Sequence, residues 1–309
     1  MTKTRQRSSA VPTVTRRAQA RLGILLAAPL IVLVIVFLIF PLCNSLYYAV
    51  VDFDGFSTNP PFVGLANITH MLTDPMMWAA LERNLVWIVV GTAAPLIIGL
   101  GLALLLSQIG PSSAFYRMVL FFPYVLPAVA VGIIWGWIFD PLHGWLNRVL
   151  RVLGFKGLTQ GWLGDPSTAL GAVLVTAIWS YTGFVVIIML SALRSVDQEL
   201  VEAARLDGAN ALRTIVNVIV PQIMPVFLMV ATITLVGGFS VFDIVFIMTG
   251  GGPNNATNVL GTYAYKMAFN RYQISYGTTI ALLITVLSLP IAIGLNRLQK
   301  RLSLQGVGV

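Results

Sequence analysis

The chain has 309 residues, of which 57% are hydrophobic and 10% charged, with mean hydropathy +0.86 and formal net charge +8. Soluble domains carry about 25% charged residues, so one aqueous core cannot bury this much apolar surface and a soluble enzyme is excluded. The positive charge fits the bias of cytoplasmic loops in membrane proteins, and no nucleic-acid partner is expected.

Residues 1–21 are basic, polar and without apolar periodicity, which predicts a disordered arm that sets topology and touches membrane lipid. Apolar stretches long enough to cross a bilayer follow at about 22–50, 84–108, 117–139, 168–193, 223–249 and 275–297. The first is too long for a signal-peptide core, so it is read as a retained helix. Irregular backbone is not tolerated against lipid, so the fold class is an all-α polytopic membrane protein with six transmembrane helices. The membrane domain covers 22–298, and 299–309 form a tail. Between the spans lie loops at 52–83, 140–167 and 250–274 on one side, the last opening with Gly250, Gly251, Gly252 and Pro253. Thirteen of the nineteen lysines and arginines fall on the other side, with both termini, which places both ends in the cytoplasm.

Residue counts narrow the chemistry. The single cysteine, Cys43, permits no intrachain disulfide or cysteine-based zinc cage. His70 and His143 fit no HExxH pattern, no lysine follows a glycine as a Walker A loop requires, and no serine sits in a GxSxG elbow. No catalytic residue and no metal ligand is therefore assigned, and the chain binds no nucleotide cofactor of its own.

The segment 195–222 reads SVDQELVEAARLDGANALRTIVNVIVPQ. Ser195 and Gln198 have capping-box spacing, with Asp197 and Glu199 in the first turn, where the helix dipole favours acids. Gly208 suits the left-handed residue that ends a helix, and Asn210 can cap a second, short one. Glu202 and Arg205 stand three apart and can pair. Pro221 and Pro225 predict that the chain turns back into the membrane there. These residues also fit an ordinary solvated loop with short amphipathic helices.

Glu202-Ala203-Ala204, three residues, Gly208, nine residues, then Val218-Ile219-Val220-Pro221 resembles the EAA loop of binding-protein-dependent ABC importer permeases. The sequence departs from that pattern in Val218 and Val220, which stand for Ile and Leu. Ile247-Met248-Thr249-Gly250-Gly251-Gly252-Pro253 after Phe242-Asp243 resembles the sugar-type permeases of the maltose, glycerol-phosphate and lactose kind. So does Phe122-Pro123-Tyr124-Val125-Leu126-Pro127 with Trp135 and Trp137. The resemblance implies a type I ABC importer permease fold and a carbohydrate, polyol or sugar-phosphate substrate. It implies four kinds of partner: a second homologous permease, two cytoplasmic ABC ATPase subunits that hold ATP and Mg and hydrolyse ATP in trans, an extracytoplasmic solute-binding protein, and the lipid of a bacterial or archaeal inner membrane. It gives Glu202, Ala203, Ala204, Arg205, Asp207 and Gly208 the role of coupling to the ATPase.

The substrate pathway is expected along Tyr181, Phe184, Thr234, Gly238, Val241 and Phe242. Aromatic faces with small polar neighbours suit a polyhydroxylated ligand, while the same aromatics and glycines also suit helix packing. Asp243 is the one acid deep in an apolar run. It reads as a gate or a helix-bracing hydrogen bond, or as a carboxylate reaching the outer interface. A secondary transporter would need further intramembrane ionisable groups, and a membrane scaffold would not need the EAA spacing.

Overall fold

The computed structural model describes residues 16–109 and 113–305. Most of the arm expected over 1–21 lies outside them, but helix already begins at Arg16, and at the other terminus helix runs through the expected tail to Gln305. Five helices are long and apolar enough to span a membrane: α1 (Gly23–Ala49), α3 (Pro75–Ser107), α7 (Ala169–Leu193), α9 (Ala211–Phe239) and α12 (Ile274–Arg301, its helix continuing to Gln305). The short α2 (Ala66–Thr73) precedes α3.

The span expected over 117–139 is not one rod. It is α4 (Ala114–Val125) and α5 (Ala128–Ile138), bent by 99° at the break between them. Pro127 is the cause. It opens α5 with φ −57° and ψ 140°, and its ring disfavours helical backbone at Leu126. Counting the bent pair as one crossing gives six spans.

The span expected over 223–249 is interrupted too. α9 ends at Phe239, and Phe242, at φ −145° and ψ −59°, precedes the short α10 (Asp243–Thr249). Buried Asn84 of α3 holds this break: its amide donates to the Gly238 carbonyl, and its oxygen accepts from the Leu260 amide, both at 3.2 Å. One side chain thus satisfies backbone groups that an apolar environment would leave stranded.

Pro221 and Pro225 do not turn the chain. The helix from Ala211 runs through them to Phe239 as α9. Five residues of wider π-helix, Ile215–Ile219, come just before Pro221 and accommodate its missing amide.

α3 and α7 form the centre and run parallel, Gly91 facing Leu174 and Gly99 facing Val185. Leu96, Ala103, Val185, Val186, Met189 and Val230 are the buried core between them and α9. Gly183 lets α7 press on α4; a Cβ there would run into the Leu120 carbonyl. α1 keeps its apolar face uncovered by this chain, with Leu26 and Phe37 each 74% exposed.

The segment 250–274 is a folded unit rather than a plain loop. It contains α11 (Leu260–Tyr265) and a π turn (Lys266–Asn270), and buries Leu260, Tyr263 and Met267 against Met71, Met77, Tyr276 and Ile280. Phe53 and Ser275 exchange hydrogen bonds here, from Phe53 N to Ser275 Oγ at 2.8 Å and from Ser275 N to Phe53 O at 3.2 Å. The first span therefore ends where the last begins.

Candidate functional site

Two features stand out, one at the broken fifth span and one at the opposite end of the bundle. The first is a cavity of about 520 Å³ between α3, the α4–α5 bend, α7 and the α9–α10 break. Of the pathway residues named from sequence, Tyr181, Thr234, Gly238, Val241 and Phe242 line it, and so does Asp243. Phe184 does not. It stacks on Tyr124 at 4.9 Å and meets Tyr181 edge-on at 5.4 Å, so it supports the wall from behind.

The lining residues differ in what they offer a ligand. The Thr234 hydroxyl is buried and donates back to its own helix, at the Val230 carbonyl 2.9 Å away. Gly238 is a packing residue, since a Cβ would press on Ile88 at 3.3 Å. Val241 and Phe242 are not on a continuous helical face with Thr234, because α9 has ended at Phe239. They reach the cavity through the break.

Asp243 is corrected most. It is exposed, opens α10, and makes no hydrogen bond or ion pair with any described residue. It braces no helix among the described residues. Asp243 lines the cavity together with Ser180, Ser240 and Tyr124, and neither lysine nor arginine lines the space.

Sequence reasoning missed Asn84, Tyr124, Ser180 and Ser240. Asn84 had a signal: an asparagine inside an apolar run implies an internal hydrogen-bond partner. Tyr124 sat in the quoted FPYVLP motif, but its place in the cavity depends on the bend.

The second feature is the 195–222 segment. α8 (Gln198–Leu206) protrudes between α7 and α9. Its cap is Asp197, whose carboxylate accepts from Glu199 N at 2.9 Å, rather than Ser195, whose hydroxyl donates to the Ala192 carbonyl. Gln222 of α9 also reaches back, its side-chain oxygen accepting from Asp197 N at 2.9 Å. Gly208 has φ 83°, as expected for the residue that ends the helix. Asn210 caps the next helix through Arg213 N at 2.9 Å, but that helix is the start of α9 and not a separate short one. Glu202 and Arg205 form no ion pair. Glu202, Ala203, Arg205, Asp207 and Gly208 are exposed and Ala204 half-buried, so α8 presents a small-residue surface fixed at both ends.

Comparison with known proteins agrees with this arrangement. A chain in the crystal structure of a bacterial alginate ABC transporter, in complex with an alginate pentasaccharide-bound periplasmic protein, superposes with TM-score 0.78 at 20% identity, covering 93% of this chain and 96% of that one. The fold is thus the all-α, polytopic type I permease fold. The chain is 34% identical to the multiple sugar-binding transport system permease protein MsmF of Streptococcus mutans, over 85% of this chain and 89% of that protein. It is 32% identical to the diacetylchitobiose uptake system permease protein NgcF of Streptomyces coelicolor, over 86% and 78% respectively. Residues 95–304 match the binding-protein-dependent transport system inner membrane component family, and the chain belongs to it.

Proposed function

We propose that this chain is the membrane-spanning permease of an ATP-driven importer for an uncharged carbohydrate or polyol, in the inner membrane of a bacterium or archaeon. The observation that carries the reading is the capped, exposed α8, held between two spans that reach the cavity at the far end of the bundle. A short rigid helix joined directly to α7 and α9 can pass motion from a docked ATPase to both, and a loose loop cannot. Both termini and α8 are cytoplasmic in this reading. A second homologous permease completes the pathway, two ATPase subunits bind and hydrolyse ATP in trans, and a solute-binding protein delivers substrate from outside.

The cavity supports the substrate class. Tyr124, Tyr181 and Phe242 offer ring faces, while Ser180, Ser240 and Asp243 offer polar groups. An anionic sugar phosphate would meet the Asp243 carboxylate with no lining cation to offset the repulsion. A neutral polyol can instead donate hydroxyl protons to it.

The test is uptake of a labelled neutral disaccharide into proteoliposomes that hold the complete importer and ATP. Uptake should require ATP and be insensitive to a protonophore. Asp243→Asn, which keeps one acceptor oxygen, should retain most uptake, and Asp243→Leu should lose it. Protonophore-sensitive uptake that also collapses in Asp243→Asn would replace this reading with a proton-coupled one.

A further inference from the structure

Behind α8, on the side facing the spans, lies a cavity of about 980 Å³ that the transport reading does not use. It opens between the C-terminal ends of α3 and α7, the start of α4, α8 itself and the first turns of α9. Arg117, Arg194 and Arg205 all line it, and no aspartate or glutamate does. The side chains of Arg194 and Arg205 make no hydrogen bond or ion pair with any described residue. The ion pair found among the described residues, Asp140 with His143 at 3.6 Å, lies elsewhere. Three arginines therefore line a space that no described aspartate or glutamate lines, and two of them, Arg194 and Arg205, bring side chains without a described partner.

The remaining wall is apolar, with Leu104, Leu190 and Ile219 among its residues. The cavity sits where two apolar spans end, Ser107 for α3 and Leu193 for α7, which is the depth of a bilayer's headgroup region. A leucine wall under an arginine rim matches a molecule with an acyl chain and an anionic head. Guanidinium matches phosphate geometry through paired N–H donors, and it is less strongly hydrated than ammonium. A free phosphate would find the rim but leave the apolar wall uncovered.

We infer that this basin binds the phosphate headgroup of an anionic phospholipid, its acyl chain lying along the Leu104 and Leu190 wall. The assignment requires only that this end of the bundle meets a membrane surface. A lipid held between Arg194, at the end of α7, and Arg205, on α8, ties the protruding helix to the spans, so the charge of the membrane bears on how firmly α8 is seated.

The test uses the complete importer in detergent, incubated with equal amounts of phosphatidylglycerol and phosphatidylcholine of identical acyl chains, and scored for retained lipid by native mass spectrometry. The native complex should retain phosphatidylglycerol preferentially. Arg117→Gln with Arg194→Gln should cut that preference by about twenty-five-fold, each arginine near an anionic surface being worth about fivefold. Arg117→Lys with Arg194→Lys should keep most of it. If the double glutamine variant does not assemble, each single glutamine variant is scored for the same ratio. Equal retention of the two lipids by the native complex would overturn the inference. So would an unchanged ratio in the glutamine variants, or displacement of phosphatidylglycerol by an equal concentration of inorganic phosphate.

Discussion

At the end of the bundle where α3 begins, the Asp74 carboxylate accepts the hydroxyls of Tyr263 and Tyr276, each at 2.5 Å, and caps α3 through Met76 N at 2.8 Å. Nearby, Asn84 holds Gly238 and Leu260, and the Thr257 and Thr249 hydroxyls meet at 2.7 Å. At the other end, α8 projects with Leu206 88% exposed and its charged side chains unpaired. The first end ties side-chain polar groups together from three separate stretches of one chain, although the buried Asn258 amide nitrogen there has no described partner. The second satisfies only its backbone caps and leaves its side chains for another surface. A module that is stable by itself at one end and incomplete at the other is suited to being driven from the incomplete end. That contrast predicts that damage at the two ends will separate: coupling is lost at one, and stability at the other.

The largest effect is expected at α8. Gly208→Pro removes the amide that donates to the Arg205 carbonyl at 3.1 Å and forces a φ near −65° onto a residue at 83°. Glu202→Lys reverses a charge on the exposed face. Both should abolish ATP-driven uptake and reduce stimulation of the ATPase. Glu202→Lys should change the melting temperature of the complex little, since exposed substitutions away from special features cost within about 0.5 kcal/mol. Normal uptake in both variants would break the comparison at its functional half.

The next effect belongs to the opposite end. Asp74→Leu strips two tyrosine hydroxyls of their acceptor and α3 of its cap. The loss should be about 2 kcal/mol, the scale for leaving a partly buried donor unsatisfied. Asp74→Asn keeps one acceptor oxygen and should lose less. Thermal unfolding of the assembled complex measures both, with ATPase stimulation per folded complex as the second readout. Stability unchanged in Asp74→Leu would show that the hydrogen bonds are incidental to packing.

The sequence made some of this legible and hid the rest for identifiable reasons. Apolar runs revealed where the chain crosses a membrane, because bilayer thickness demands length. Gly208 and Asn210 were readable because helix ends are set by one or two residues. The break at 240–242 was not readable, because a side chain from a distant span, Asn84, supplies the hydrogen bonds that permit it. Asp243 reads as deeply embedded only if the run around it is a continuous helix, and the helix ends at Phe239. The bend at Pro127 was printed in the sequence, but hydropathy cannot distinguish a bent crossing from a straight one. Pro221 and Pro225 misled in the other direction, since a π stretch lets α9 pass them.

The smallest predicted effect is a pH dependence confined to the hydrogen-bonded end. Burial raises the Asp74 carboxyl, but hydrogen bonds from Tyr263, Tyr276 and the amides of Met76 and Met77 outweigh it and hold the group below its ordinary 3.8. In acid, the unfolded chain therefore takes up this proton before the folded one does. The stabilisation is present above pH 3.8 and is lost as pH falls through the lowered value. Tyr263 works in the opposite sense. Burial and its bond to Asp74 push it from 10.0 up to about 12, so its contribution is present below pH 10 and is lost as pH rises toward 12. The melting temperature of the complex should be level between these limits and fall outside them. The slope should be modest, because the Asp74 carboxylate is only partly buried and solvent screens it. Asp74→Asn should flatten this cluster's contribution on the acid side, since an amide does not titrate, and Tyr263→Phe should flatten it on the alkaline side. Glu202→Lys, at the other end, should leave both limbs where they were. An acid limb that persists unchanged in Asp74→Asn would mean that some other carboxylate carries it.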